Sequence, residues 1–168
     1  MKLLLFRCYL TILYKANIIN LIPPQTASSI TIKLGLAGRG GWCEVNSFTL
    51  ESRKAPYVHI IGDSINPGDM PKSAFAANSQ AKAAAAAIIS LVNQRELPVP
   101  VFSNACYSLL DPDYGISINA TYRATDRKIT AIIGGGGESP LSASEDLRRQ
   151  EARHARGWYK SIIGETFF

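Results

Sequence analysis

Metal-ligand spacing is the first thing this sequence lacks. Its 168 residues hold only three cysteines, Cys8, Cys43 and Cys106, and two histidines. The cysteines lie far apart with no C-x-x-C and no histidine cluster beside them, which excludes a structural zinc site of the usual kind. An odd count leaves at least one thiol without a mate in the same chain, and in an oxidising compartment such a thiol invites a partner elsewhere. Charge is also scarce, at 18% of residues against roughly a quarter in ordinary globular domains. That shortage points to surface buried against something else. The net charge of +5 is scattered apart from a cluster between Arg148 and Arg156, and no basic strip is interleaved with aromatics. The excess therefore reads as solubility rather than nucleic-acid binding. Long uncharged apolar runs are missing too. The apolar N-terminus is interrupted by Arg7 and Lys15, and the run over residues 83–92 is far shorter than the roughly 18 to 20 residues a membrane span requires. Lys2 precedes an apolar LLLF, but Arg7 cuts that core short and no A-x-A site follows, so no cleaved leader is expected. Finally, no G-x-G-x-x-G fingerprint for a dinucleotide pyrophosphate occurs. Gly35, Gly38, Gly40 and Gly41 have the wrong spacing, Gly134 to Gly137 have no helical pattern directly behind them, and both groups read as turns.

What is present reads as the tail of an α/β cofactor domain followed by an antiparallel sheet with a terminal helix. Residues 17–22, a short apolar run stopped by Pro23 and Pro24, have the pattern of a buried parallel strand. Residues 26–36 suit a short helix, the glycines of 35–41 a loop, and 45–51 a brief strand. Residues 57–61 read as a second buried strand, ended by Gly62 and Asp63. A helix is predicted from Pro71 to Arg95, with proline in its first turn and the alanine-rich stretch of residues 82–87 behind it. The boundary between the two parts falls near Pro98. Beyond it, residues 99–110, 115–124 and 128–133 are candidate strands joined by turn chemistry at Asp111-Pro112-Asp113 and Thr125-Asp126-Arg127, with Gly134 to Gly137 ending the sheet. Ser142 or Ser144 then caps a helix that runs to Gly164.

The densest chemical signal lies between Val58 and Lys82. An apolar strand enters Gly62-Asp63 and, after a Pro-Gly turn, a long helix, so a carboxylate and a helix N-terminus are aimed at one ligand. Gly62 lets backbone approach a bound group, and Asp63 can accept hydrogen bonds from sugar-like hydroxyls or simply cap its turn. The start of the helix, with Pro71, Lys72 and Ser73, offers unpaired N–H groups and a positive dipole end that favour negative charge. Cys106, in SNACYSLL, is by spacing alone an inert thiol packed in a strand. Cys43 beside Trp42 reads as structural, His59 as a satisfied core or edge histidine, and His154 as solvated among arginines.

These blocks resemble a known family. KANIINLIPPQTA, GGWCEVNSFTLES, VHIIGDS, MPKSAFAANSQAKAAAAAI, NACYSLLDPDYGIS, GGGGESPLSAS and WYKSIIGETFF cover almost everything after residue 14. Their order and wording are similar to those of the flavoprotein subunit of flavocytochrome c sulfide dehydrogenase, within the pyridine nucleotide-disulfide oxidoreductase superfamily. The resemblance implies an atypical N-terminus over residues 1–14, the C-terminal part of an FAD-binding Rossmann-type domain over 15–97, and a flavin-binding interface domain over 98–168. It implies FAD as cofactor, a c-type cytochrome subunit as electron partner, sulfide as substrate and a periplasmic address. It also implies that the pyrophosphate site, the cysteine tethering the flavin and the second redox cysteine belong to an N-terminal half of the flavoprotein outside this chain. Within that frame Gly62, Asp63, Pro71, Lys72 and Ser73 bind the cofactor, with Asp63 on the ribityl chain and the helix start facing the ring. A reduced flavin is an anion of the kind such a helix start favours. Cys106 becomes one half of the redox disulfide over the flavin, with Lys72 adding positive charge near both. Trp158, Tyr159, Phe167 and Phe168 pack near the ring or against a partner subunit. The rival expectation is a truncated, non-catalytic remnant that only binds a partner through its sheet. A pyridine-nucleotide disulfide reductase fits CYSLLxPxYGIS less well.

Overall fold

A computed structural model describes residues 17–167. The expected atypical N-terminus, with Cys8, and the terminal Phe168 lie outside the described residues. In chain order the elements are α1 (Ser29–Lys33), α2 (Ala74–Val92), β1 (Val101–Asp111), β2 (Tyr114–Ala124), β3 (Ile129–Glu138) and α3 (Glu145–Phe167), with a 3-10 turn at Gly62–Ser64. The architecture is α+β, a three-stranded antiparallel sheet in the order β1-β2-β3 with helices packed around it.

The sheet follows from period-two patterning. Phe102 pairs with Tyr122 and Asn104 with Ala120, and Phe102, Asn104, Tyr122 and Ala124 are all buried. The Asp111-Pro112-Asp113 turn joins β1 to β2, with Asp111 paired to Tyr114. Residues 134–137, expected to end the sheet, instead lie within β3. Ala120 pairs with Gly136 and Tyr122 with Ala131, so residues 132–135 bulge out opposite Thr121. Glycine is required there for approach rather than for chain reversal. A Cβ on Gly136 would lie 2.1 Å from the Asn119 carbonyl oxygen, and Gly134, at φ +74°, turns the bulge.

The helix α3 crosses the sheet face that carries Tyr107, Gly115 and Ser117. Gly115 allows the crossing, since a Cβ there would stand 2.5 Å from the Ala152 nitrogen. Glu151 reaches the sheet as acceptor for the hydroxyls of Ser117, at 2.9 Å, and Ser139, and it is paired with buried Arg148 at 3.3 Å. Ser144 caps the helix through the Leu147 N–H at 3.3 Å. Gly157 and Gly164 do not interrupt it, and the helix continues three residues past its expected end at Gly164.

Helix α2 lies along the outer edge of β1, where the Ser79 hydroxyl accepts from the Ser103 N–H at 3.1 Å. Its N-cap is Ser73, so Pro71 and Lys72, expected inside the first turn, precede the helix. The cap decides the start because the Ser73 oxygen takes the Ala76 N–H at 3.0 Å.

The segment before α2 is mostly irregular and packs through Ala27, Leu36, Cys43, Val45, Leu50, Ile60, Ile65 and Met70 onto the Phe102–Tyr122 side of the sheet. Three strand expectations fail here. Residues 17–22 form no strand, and Ile18 is 90% exposed. A buried parallel strand needs neighbours to pair with, and none is found among the described residues. Residues 57–61 run instead antiparallel to 50–52, through the single bridge between Glu51 and His59 and the flanking bonds Ile60 N–H to Leu50 and Ser52 N–H to Val58. Tyr57 and Leu50, both at positive φ, close this tight return. Residues 45–51 likewise contribute isolated bridges, Val45 to Ser52 and Glu51 to His59, rather than a strand.

Candidate functional site

Gly62 opens the 3-10 turn at φ +70°, a conformation that favours glycine. Its N–H donates to Oε1 of Gln80 at 2.7 Å, which docks the turn on the buried side of α2. Asp63 follows, exposed, and no donor reaches its carboxylate among the described residues. Its carbonyl accepts from the Lys72 ammonium at 2.7 Å, and the Ile65 carbonyl accepts from the same ammonium at 2.6 Å. The Lys72 nitrogen also stands 3.6 Å above the centre of the Trp42 ring. Partial burial pulls the Lys72 pKa below its ordinary value, and the neighbouring Asp63 carboxylate opposes that pull. The expected role of Lys72 as a charge beside Cys106 thus has a different geometry. Its ammonium is committed to the Gly62–Ser64 turn.

The connection to Cys106 runs through Ser73 instead. The Ser73 hydroxyl donates to Oδ1 of Asn104, and the Asn104 amide nitrogen lies 3.4 Å from the Cys106 sulfur. Asn104 and Cys106 are two apart on β1 and share a face, with Asn104 4% exposed and Cys106 half-buried. Asn104 is the residue that sequence reasoning missed. Its period-two relation to Cys106 was visible in SNACYSLL, but its contact with Ser73 was not. Beyond Cys106 the same face opens, with Ser108 exposed and Leu110 68% exposed on β1, and Ile118 half uncovered across on β2. Tyr122, farther in, has its phenol pKa raised by burial first and then by the nearness of Cys106 and Asp69.

Cys43 is fully buried in the loop core and makes no disulfide with Cys106. The His59 ring nitrogen Nδ1 is matched to the Thr49 carbonyl at 2.8 Å. His154 is exposed on α3. Trp158 stacks on Phe75 at 6.1 Å and leans on Tyr107 at 5.9 Å, on the sheet face opposite Cys106, while Tyr159 and Phe167 are exposed.

Gly62, Asp63, Pro71, Lys72, Ser73 and Cys106 therefore fall along one contiguous strip from the 3-10 turn, over the start of α2, to the middle of β1. The strip has an exposed carboxylate without a partner, a helix start whose Ala74 and Phe75 N–H groups find no acceptor among the described residues, and a half-buried sulfur beside an uncovered sheet face. Residues 98–167 match the family model described as flavocytochrome c sulphide dehydrogenase, flavin-binding. That match covers all three strands and α3, and the cofactor that goes with such a domain is a flavin, FAD. Over residues 98–167, from the start of the sheet to the end of α3, the chain is thus similar to the flavin-binding domain of flavocytochrome c sulphide dehydrogenase.

Proposed function

We propose that this chain is the flavin-facing and interface part of an FAD-dependent sulfide dehydrogenase, in which Cys106 is the sulfur that reacts and a c-type cytochrome takes the electrons. On this reading residues 15–97 complete an FAD-binding domain begun elsewhere, residues 98–168 form the flavin-binding interface domain, and the enzyme works in the periplasm. The observation that carries the reading is the link from the start of α2 through Ser73 and Asn104 to Cys106, beside the Gly62–Ser64 turn that Gln80 and Lys72 hold. It gathers a carboxylate, a helix start and a sulfur into one strip, although they stand far apart in sequence.

The proposed chemistry begins with Cys106 in a disulfide to a cysteine of the completing half. Hydrosulfide attacks that bond, one thiolate leaves, and the new sulfur–sulfur bond holds the substrate sulfur as a persulfide. A second hydrosulfide then takes the outer sulfur and leaves as a hydropolysulfide, so that both cysteines end as thiolates that hold the two electrons. FAD, when bound, supplies the acceptor for two electrons, which then go on to the cytochrome. This chain's residues hold the geometry. Gly62 and Gln80 fix the 3-10 turn on α2, Asp63 offers its carboxylate to ribityl hydroxyls, the start of α2 faces negative charge, and Asn104 holds the Cys106 sulfur.

The test is anaerobic addition of sulfide to the flavoprotein reassembled from this chain and its completing half. The visible flavin absorption is expected to bleach. With Cys106→Ser, FAD should remain bound and the bleaching should disappear; unchanged bleaching in that variant removes Cys106 from the chemistry.

A further inference from the structure

We infer that Asn104 is a positioning residue for Cys106, donating a hydrogen bond from its side-chain amide to the sulfur in an orientation that Ser73 enforces. The inference rests on the reading of Cys106 as the reacting sulfur. Its basis is a chain of hydrogen bonds that runs from α2 to the sulfur. The Ala76 N–H of α2 donates to the Ser73 oxygen at 3.0 Å. With that lone pair occupied, the Ser73 hydroxyl directs its proton to Oδ1 of Asn104. An amide whose oxygen is held in this way keeps its NH2 for the Cys106 sulfur, which lies 3.4 Å from the amide nitrogen and 3.9 Å from the oxygen, to which its thiol form can donate. Asn104 is 4% exposed, so water does not compete for the amide, and leaving either end of a buried amide unpaired is costly.

Donation to sulfur has a chemical consequence. A thiolate is a far better acceptor than a thiol, and a hydrogen bond to the charged form favours it. The first turn of α2, whose free N–H groups carry partial positive charge, is thereby linked through Ser73 and Asn104 to the sulfur. Lys72, committed to the carbonyls of Asp63 and Ile65, stands outside this chain. The link also fixes where the sulfur sits. Asn104 and Cys106 project from one strand face, and the amide holds the side chain of Cys106 toward the start of α2.

The sign of the effect separates this role from ordinary packing. If Asn104 only filled space, replacing it would loosen the site, expose the thiol and speed its modification. As a donor to the sulfur it promotes the nucleophilic form, so its removal slows modification. The experiment uses the full chain without flavin or sulfide. Alkylation of Cys106 by iodoacetamide is followed by mass spectrometry of the peptide that contains it, across a range of pH. Asn104→Leu is expected to slow alkylation about tenfold near neutral pH, the scale of one lost charge-assisted hydrogen bond. Asn104→Asp, which keeps the acceptor for Ser73 but replaces the donor by a carboxylate oxygen, should slow it further and move the pH–rate profile to higher pH. Ser73→Ala leaves the amide in place without its orienting hydroxyl and should slow alkylation by a smaller factor, about threefold. It decides the matter if both Asn104 variants lose their far-UV circular dichroism. Equal or faster alkylation in folded variants overturns the inference and makes Asn104 an acceptor or a packing residue. Because no flavin or sulfide is present, that outcome leaves the proposed dehydrogenase chemistry standing. Slowed alkylation in the Asn104 variants, together with no sulfide-driven bleaching of the unsubstituted reassembled flavoprotein, would have the reverse meaning.

Discussion

Gly62 and Lys72 show how little of a side chain's role its neighbours in sequence reveal. In sequence Gly62 marks a place where backbone can approach a ligand; in the fold its φ of +70° is the stronger constraint, since a Cβ would meet only the Ala77 Cβ, at 3.4 Å. Strain rather than collision is therefore the expected penalty. Gly62→Ala should destabilise the chain by about 1 to 2 kcal/mol, read as a lower urea midpoint at unchanged slope. A penalty near zero would mean that the turn relaxes away from its left-handed conformation. Lys72 was legible as a positive charge near the helix start but not in its direction. Trp42, which it covers, lies thirty residues earlier, and nothing in MPKSAF encodes that meeting.

Among the elements, α3 shows what fixes a helix to a sheet when its own apolar content is modest. Its buried residues are Arg148, Glu151, Ala152 and Ala155, and its hold on β2 is largely polar. Burial pushes the Glu151 carboxyl up, but the Ser139 and Ser117 hydroxyls and the Arg148 guanidinium outweigh it and hold its pKa below the usual carboxylate value of 4.5. A group whose folded pKa is depressed contributes stability that is fully present above its unfolded pKa and is lost as pH falls through the folded one. The Glu151 contribution should therefore be intact at neutral pH and drain away below about pH 4.5. Glu151→Gln leaves Arg148 buried without its counter-charge and should cost about 3 kcal/mol near neutral pH. The difference from the unsubstituted chain should narrow toward pH 3, as denaturation midpoints at both pH values would register. A constant difference across that range would assign the loss to packing.

The elements were unevenly legible. The alanine-rich body of α2 and the alternation of ISINATYRA in β2 were clear because helix propensity and period-two burial act locally. The start of α2 was misplaced because proline tolerates both the first helical turn and the extended residues before a cap, and only the contacts of Ser73 choose between them. The run from Gly134 to Gly137 misled for a similar reason. Glycine marks a sharp turn and a close strand approach alike, and the Asn119 backbone that demands it lies on another strand. Residues 17–22 carried the composition of a buried strand, but pairing is a property of two segments, and their apolar side chains remain uncovered.

For the molecule as a whole, exposed apolar surface is the dominant fact. Ile18 and Ile22 before α1, Ile89 and Val92 at the end of α2, Leu110 on β1, Ile133 on the β3 bulge and Leu141 before α3 are all uncovered. Scattered apolar side chains are normal, but contiguous faces mark interfaces. Leu110 and Ile118, on the open sheet face beyond Cys106, are the part of this surface that supports the proposal that a completing half packs against the chain. The low share of charged residues carried the same message in sequence. The strip from Asp63 to Cys106 was half legible. Family wording placed its ends, while Asn104, which joins them, became visible only when β1 met the cap of α2.

Sulfide-driven flavin reduction compared between the reassembled flavoprotein and its Cys106→Ser variant, under anaerobic conditions and with bound FAD quantified in both, tests the central claim most directly. Rapid loss of flavin colour in the first, and a yellow, FAD-loaded but unresponsive second, is the predicted result. Equal rates in the two would contradict it.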